Sequence, residues 1–115
     1  MVTSYIPERG DIVWLSFGAG HGREQQGRRP ALVLSPRLFS VRSHLALVCP
    51  VTSQVKGYPF EVLLTVRDVS CALLIDQIRA VDWTKRKIQF LEYADTAVVA
   101  AVARKVATLI GFIAE

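Results

Sequence analysis

Residues 24–36 read EQQGRRPALVLSP, a polar segment that runs directly into an apolar one. From residue 29 to residue 35 the apolar side chains follow one another without alternation, which is typical of a β-strand covered on both faces, and Pro36 closes the strand. The polar half carries one carboxylate, two amides and two guanidinium groups around Gly27. The stretch therefore predicts a buried strand that begins beside an anion-binding loop.

The chain before this stretch predicts a turn, a strand and a loop. Residues 7–11 contain a proline and a glycine, and Asp11 can accept local backbone N–H bonds there. Residues 12–17, IVWLSF, are rich in β-branched and aromatic side chains and predict the first strand. Residues 18–22, GAGHG, predict a flexible, glycine-rich loop. They lack the Gly-Lys-Ser/Thr ending of a phosphate-binding P-loop.

The chain after the stretch predicts a series of short strands. Further strands are expected at residues 44–52, 60–65, 71–81 and 88–91. They are separated by an irregular piece at 37–43, a polar loop at 53–59, a turn at 66–70 and a basic turn at 84–87. Because proline cannot donate to a sheet ladder, Pro50 predicts an edge strand or a kink.

The period changes from sheet to helix in the last twenty residues. Asp95 is a candidate N-cap, and Arg104, Lys105 and Thr108 fall on the polar side of the helix. Apolar residues recur at steps of three and four at Val98, Val99, Val102, Val106, Leu109, Ile110 and Ile113. Short strands without intervening helices predict an antiparallel, strongly bent sheet or small barrel with this helix packed on it, in one domain spanning residues 1–115.

The composition narrows the class of protein. The chain has 115 residues, of which 51% are hydrophobic, so it can bury a core. It has no long uncharged apolar run and no signal peptide pattern, which predicts a soluble cytoplasmic protein that does not contact a membrane. Cys49 and Cys71 lack metal-site spacing and are expected to be buried, reduced thiols. A net charge of +4 suits an anionic partner such as nucleic acid.

The loop before the strand offers more hydrogen-bond donors than its own carboxylate can use. Glu24 and Arg29 could form a surface salt bridge worth about 0–1 kcal/mol. Gln25, Gln26, Arg28 and Arg29 together carry a large surplus of N–H groups. The surplus points to an external acceptor, most naturally phosphate oxygens. Arg29 is the better candidate for a buried contact because it begins the strand, whereas Arg28 should be more solvated.

Other polar and aromatic residues have both a structural and a functional interpretation. Thr52 opens the second polar loop, in which Ser53, Gln54 and Lys56 follow. Asp76 and Gln77 interrupt an apolar strand, so they either bond to loop backbone or contact a ligand. Phe17 and Tyr58 adjoin polar loops and are candidates for base stacking, although most strand aromatics belong to the core. Nothing in the spacing brings the two histidines, His21 and His44, together for acid/base chemistry.

Several of these motifs, in this order, resemble the MazF/PemK family of toxin endoribonucleases, and the MazF branch in particular. The motifs are Gly10-Asp11 before an apolar strand, Glu24-Gln25-Gln26-Gly27-x-Arg29-Pro30, Leu34-Ser35-Pro36, the segment PVTSQVKGYPFEV at residues 50–62, and Asp76-Gln77. The similarity spans nearly the whole chain and is weakest at residues 65–71 and in the C-terminal helix.

The resemblance implies an SH3-like small antiparallel barrel with a C-terminal amphipathic helix, the fold of MazF, Kid and CcdB. It implies a homodimer that cuts single-stranded RNA, such as mRNA, at a short sequence without a metal or other cofactor. It also implies a cognate antitoxin that blocks the site, and contact with operator DNA only through the antitoxin complex. If an acidic antitoxin segment follows the RNA groove, the residues expected to be exposed and to meet it are Trp14, Lys56, Arg79, Trp83 and Arg86.

Carried over position by position, the resemblance places the essential groups of the family on Glu24, Arg29 and Thr52. The RNA-binding residues, from the resemblance and the loops together, are Phe17, Gln25, Gln26, Arg28, Ser53, Gln54, Lys56, Tyr58, Asp76, Gln77 and Arg86. The PemK branch has a histidine just before the loop glutamate and an arginine two residues before the strand aspartate. Arg23 and Leu74 stand at those places here, so PemK-type acid/base roles do not transfer.

The chemistry can be stated as a hypothesis. Glu24 would act as the base for the ribose 2′-OH, Arg29 would stabilise charge on the phosphorus, and Thr52 would donate a hydrogen bond to a phosphate oxygen. Two alternatives remain open. One is a CcdB-like inhibitor of DNA gyrase, although the ending of this chain lacks the Trp-Gly-Ile finish of that activity. The other is a non-catalytic RNA-binding barrel.

Overall fold

The computed structural model describes residues 5–16 and 28–112, and the statements below refer to these residues. The strands are β1 (Asp11–Ser16), β2 (Arg28–Val33), β3 (Leu45–Thr52), β4 (Glu61–Val66), β5 (Val69–Leu74), β6 (Arg79–Asp82) and β7 (Gln89–Tyr93). The helices are α1 (Arg37–Ser43) and α2 (Thr96–Leu109), and two 3-10 turns lie at Ile75–Gln77 and Trp83–Lys85. No helix in the described ranges is long and apolar enough to cross a membrane.

The seven strands form one antiparallel sheet that curls into a half-barrel. The strand order is β4-β5-β3-β2-β1-β7, and β6 also pairs with β3. Strand β3 is the centre of the sheet: it pairs with β2 on one side, and with β6 and then β5 on the other. The predicted fold class, a small bent antiparallel sheet with a C-terminal helix, is confirmed.

Pro50 lies where β3 changes partner. Of the two predicted alternatives, an edge strand or a kink, the edge strand is wrong. Pairing with β6 ends at Val48, and pairing with β5 begins at Val51. The proline is accommodated in a central strand because the ladder on that side is already interrupted there. On its other side Pro50 pairs with Ala31 of β2.

Two groups of buried side chains occupy the two faces of the sheet. Ile12 and Leu32 belong to the cluster that includes Val102 of α2, whereas their neighbours Val13 and Val33 belong to the cluster on the opposite face. Successive side chains of a strand point to opposite faces. The apolar run before Pro36 therefore covers both faces, as predicted from its lack of alternation.

Helix α2 begins after Asp95, as predicted. The backbone carbonyl of Asp95 accepts from Val98 N at 2.9 Å and Val99 N at 3.2 Å, whereas its side chain makes no capping bond. Val99 and Val102 are buried against the sheet. The helix ends at Leu109, and Ile110 is 72% exposed, so the apolar face runs beyond the core at this end.

Residues 37–43 form helix α1 and not the irregular piece that we predicted. Pro36 occupies the N-cap without a side-chain capping bond, and the Glu8 carboxylate accepts from Arg37 N at 2.6 Å. At the other end His44 takes a left-handed φ of 62° and donates its N–H to Ser40 O at 2.9 Å. The helix was missed because its capping carboxylate comes from a residue far away in the sequence.

The predicted long strand at residues 71–81 is wrong. Strand β5 ends at Leu74, the chain makes the 3-10 turn Ile75–Gln77, and β6 begins at Arg79. Ile75 is buried and donates its N–H to Phe60 O at 2.9 Å, whereas Asp76 and Gln77 are exposed. The turn forms because a continued strand would bury a carboxylate and an amide at high cost.

The core of the half-barrel makes a testable prediction about stability. Leu73 is fully buried, whereas Leu63 on the neighbouring strand is 64% exposed. Replacing Leu73 by Ala should lower the free energy of unfolding by about 2–5 kcal/mol, because it leaves a cavity. Leu63→Ala is the matched control and should cost less than about 1 kcal/mol. Equal shifts of the two variants in urea denaturation would contradict the assignment of this core.

Candidate active site

Arg29 and Thr52 meet at the ends of two paired strands. The ladder between β2 and β3 ends at the pair Ala31 and Pro50. Arg29 lies two residues before Ala31, and Thr52 lies two residues after Pro50. Since side chains alternate between faces, both extend on the same side as that last pair. They share a cavity of about 360 Å³, which is lined by Arg29, Pro30, Val51, Thr52, Ser53, Gln54 and Cys71.

A second cavity adjoins the first. Thr52 and Gln54 line both cavities, so the two form one groove across the end of the sheet. The second cavity has a volume of about 340 Å³ and is lined by Thr52, Gln54, Lys56, Tyr58, Glu61, Leu74, Asp76 and Gln77. The groove thus unites two strand ends, a polar loop and a 3-10 turn that are separate in the sequence.

The hydroxyl of Thr52 is held in a defined position. Thr52 pairs with Ala72 of β5, which fixes its backbone, and its Oγ1 accepts from Gln54 N at 3.1 Å. A hydroxyl has one donor and two acceptor sites. Because the bond from Gln54 N uses an acceptor site, the O–H remains able to donate to a ligand in the groove.

The loop between β3 and β4 is organised by Glu61, for which no role was predicted from the sequence. Its carboxylate accepts from the backbone N–H of Lys56 at 3.2 Å, of Gly57 at 3.0 Å and of Tyr58 at 3.4 Å. Gly57 has a φ of +75°, a left-handed conformation that suits glycine. An acidic residue just after a glycine-containing polar loop is the signal that could have indicated this contact.

Two further contacts hold the same loop. The Tyr58 hydroxyl donates to Asp76 Oδ2 at 2.9 Å, and Lys105 Nζ of α2 donates to Pro59 O at 2.7 Å. The bond to Asp76 raises the pKa of Tyr58, because deprotonation would place a phenolate beside a carboxylate. Tyr58 is therefore a neutral hydrogen-bond donor at physiological pH, with its ring 46% exposed.

Arg28 and Arg86 lie near the end of β1 and do not line the two cavities. Arg28 stands over the ring of Trp14, 5.5 Å from its centroid, and donates to the side chain of Gln89. Arg86 donates to Ser16 O at 3.1 Å. Alternation along β2 thus directs Arg28 and Arg29 to opposite faces.

Four of the predicted site residues lie outside the described residues. They are Phe17, Glu24, Gln25 and Gln26, in the segment that joins β1 to β2. His21 belongs to the same segment. Their proposed roles stay predictions from the sequence. His44, the other histidine, is the C-cap of α1.

The two thiols are free and buried, as expected. Burial raises the pKa of Cys49 to about 12, and the charge of Asp76 adds to the effect. Its Sγ contacts Leu74 O at 3.3 Å. A neutral, buried thiol is not a nucleophile, so Cys49 has a structural role.

The thiol of Cys49 gives a prediction that alkylation can check. With a pKa of about 12, less than about one molecule in a thousand carries the thiolate at pH 8.5. Iodoacetamide should therefore leave Cys49 unmodified in the folded protein and modify it in 8 M urea, as read by peptide mass spectrometry. Rapid modification of native Cys49 would show that this strand opens or that its thiol is accessible.

A metal site has no candidate in the described part of the chain. Among residues 5–16 and 28–112, no group of three or more His, Cys, Asp or Glu side chains is placed to hold a metal ion. The polar groups that line the groove are a guanidinium, an ammonium, amides and hydroxyls, together with the carboxylates of Glu61 and Asp76, which accept hydrogen bonds from the loop amides and from Tyr58. The cationic, amide and hydroxyl groups among them are of the kind that binds phosphate oxygens and the edges of bases.

Comparison with known proteins identifies the family of this chain. Residues 8–110 match the family model described as PemK-like, MazF-like toxin of type II toxin-antitoxin system. The Endoribonuclease toxin MazF of Escherichia coli (strain K12) is 42% identical over 86 residues, which cover 75% of this chain and 78% of that protein. Endoribonuclease PemK of Escherichia coli is 30% identical over 112 residues, which cover 90% and 81%.

Solved structures agree with the sequence comparison. The crystal structure of MazF (Form-I) from Deinococcus radiodurans superposes with a TM-score of 0.82 at 46% identity, covering 94% of this chain and 99% of that one. A MazE-MazF structure (Form-II) from the same organism gives a TM-score of 0.82 at 43% identity, covering 94% and 98%. The half-barrel and its C-terminal helix are thus similar to MazF structures.

Proposed function

The chain belongs to the PemK-like, MazF-like family of toxins of type II toxin–antitoxin systems, and from this premise we propose how its groove cuts RNA. The protein is an endoribonuclease, as its MazF relatives at 42% identity are by name. The observation that carries the proposal is the cavity that Arg29 and Thr52 share at the ends of β2 and β3. A cation and a hydroxyl donor beside each other are suited to binding one phosphate.

The substrate is single-stranded RNA, which lies along the two adjoining cavities. Arg29 and Lys56 neutralise phosphates, and the exposed ring of Tyr58 offers a face for base stacking. The amides of Gln54 and Gln77 are placed to meet base edges in the second cavity. A duplex would hide those edges and hold the ribose away from in-line geometry, so an unpaired strand fits better.

Cleavage uses the 2′-OH of the substrate as its nucleophile. Glu24 removes the 2′ proton, and the oxygen attacks the neighbouring phosphorus while the bond to the 5′ oxygen breaks. Arg29 and the Thr52 hydroxyl stabilise the charge that develops on the phosphate oxygens. The products are a 2′,3′-cyclic phosphate and a 5′-hydroxyl. The departing 5′ oxygen takes a proton from water, and Arg29 acts as a cation.

The partners follow from the family and from the charge of the chain. A cognate antitoxin inhibits the enzyme, as the MazE-MazF complexes of Deinococcus radiodurans suggest by analogy. An acidic antitoxin segment that follows the RNA groove would exploit the net charge of +4. The toxin acts as a homodimer in the cytoplasm and meets operator DNA only within the antitoxin complex.

Incubation with single-stranded RNA in EDTA tests the proposal. The wild type should cut the RNA and leave a 2′,3′-cyclic phosphate and a 5′-hydroxyl, identified by mass spectrometry. An oligonucleotide with a 2′-deoxyribose at the cleaved position should stay intact. RNA that binds without being cut would favour a non-catalytic barrel, and gyrase inhibition with intact RNA would favour a CcdB-like inhibitor.

The side chains of Arg28 and Arg29 lie on opposite faces of β2, so alanine variants of the two residues can be compared in their cleavage rates. Arg29→Ala should lower kcat/KM by about 10²–10³-fold, because it removes a cation from the reacting phosphate. Arg28→Ala should cost no more than about tenfold, since its contacts are with Trp14 and Gln89. Arg104→Ala on the exposed side of α2 serves as the control and should leave cleavage unchanged. An Arg29→Ala variant as active as the wild type would contradict the mechanism.

A further inference from the structure

We infer that Glu61 is a positioning residue for RNA binding, which holds the loop at residues 53–60 in the shape that presents Lys56 and Tyr58 to the substrate. The inference rests on the proposed function, because the substrate in question is the RNA of the groove. Glu61 acts through the backbone of the loop, and its carboxylate is already engaged there.

The loop wraps its amides around the Glu61 carboxylate. Three successive N–H groups, from Lys56, Gly57 and Tyr58, point at it, with Lys56 N at 3.2 Å from both oxygens. Successive backbone N–H groups of this kind form a concave anion site. Residues 53–60 contain no strand or helix, and hydrogen bonds to a charged acceptor are stronger than neutral ones. One side chain therefore sets the conformation of three residues.

Glu61 is in place for this task because of where β4 begins. It is the first residue of β4, pairs with Leu74 of β5, and donates its own N–H to Tyr58 O at 3.1 Å. The sheet thus anchors the carboxylate, and the tight turn before it brings the loop amides within reach. The bond from Tyr58 to Asp76 holds the side chain of Tyr58, and the bond from Lys105 holds Pro59, whereas neither reaches the amides of Lys56 and Gly57.

The backbones of the catalytic pair are supported independently of this loop. Arg29 pairs with Leu15 of β1, and Thr52 pairs with Ala72 of β5, so the ladders of the sheet hold both backbones. Loss of the Glu61 carboxylate would loosen Lys56 and Tyr58 while Arg29 and Thr52 keep their places. Glu61 should therefore govern how tightly RNA binds more than how fast bound RNA is cut.

The test compares Glu61→Ala and Glu61→Gln with a matched control, Glu92→Ala. Glu92 is also borne on a strand and accepts one backbone N–H, that of Arg67 at 3.0 Å, from a different turn. The readouts are amide hydrogen exchange at residues 56–58, KM and kcat on a short RNA, and affinity for its uncleavable 2′-deoxy analogue.

Glu61→Ala should speed exchange of the three amides, raise KM and weaken binding of the analogue, each by about tenfold or more, with kcat within about threefold of the wild type. Glu61→Gln keeps one acceptor oxygen without the charge, so its exchange, KM and affinity should fall between those of the wild type and those of Glu61→Ala. Glu92→Ala should match the wild type in all of these readouts.

Unchanged exchange at residues 56–58 in both Glu61 variants would overturn the inference, and so would a fall in kcat at unchanged KM. If Glu61→Ala does not fold, Glu61→Gln alone decides by the same criteria. Exchange and binding of the analogue do not require cleavage. A wild type that leaves RNA intact would therefore contradict the proposed function, while these two readouts would still decide the role of Glu61.

Discussion

The pairing of β3 with three other strands is the constraint on which the rest of the structure depends. On one side β3 holds β2, and on the other it holds β6 up to Val48 and β5 from Val51. This change of partner curls the sheet, and it also accommodates Pro50 at the interruption. The same strand ends at Thr52, beside the start of β2. The geometry that shapes the half-barrel therefore also brings the catalytic candidates together.

The groove has a rigid part and an adjustable part. Arg29 and Thr52 are carried by strands whose backbones are held by ladder bonds. Lys56 and Tyr58 are carried by a loop whose shape depends on side-chain contacts to Glu61, Asp76 and Lys105. Positions on strands are held more precisely than positions on loops. This division suits an enzyme in which the reacting phosphate needs fixed geometry and the neighbouring nucleotides need selective but adaptable contacts.

The face of a strand and the degree of burial separate the chemistry of residues that look alike in the sequence. Arg28 and Arg29 are adjacent, yet alternation along β2 places one over Trp14 and the other in the cavity with Thr52. Asp76 is exposed on a 3-10 turn and can bond to Tyr58, whereas a continued strand would have buried it. Cys49, a few residues before Thr52, is buried and holds its proton. Among the residues that the structure describes, the exposed polar groups at the sheet end are the ones placed to meet a ligand in the groove.

Local pattern by itself determined the unalternated strand before Pro36, the amphipathic helix after Asp95, and the motifs that resemble the family, because these depend on neighbours in the sequence. It also favoured Arg29 over Arg28 as the residue with a buried contact, but both side chains are exposed, so the expected difference in burial is wrong. Only the tertiary structure decided the features that depend on distant partners: helix α1, capped by Glu8; the central place of β3 despite Pro50; and the bonds that tie the loop at residues 53–60 to Asp76 and Lys105. In each case a contact between distant residues supplied free energy that no local propensity contains.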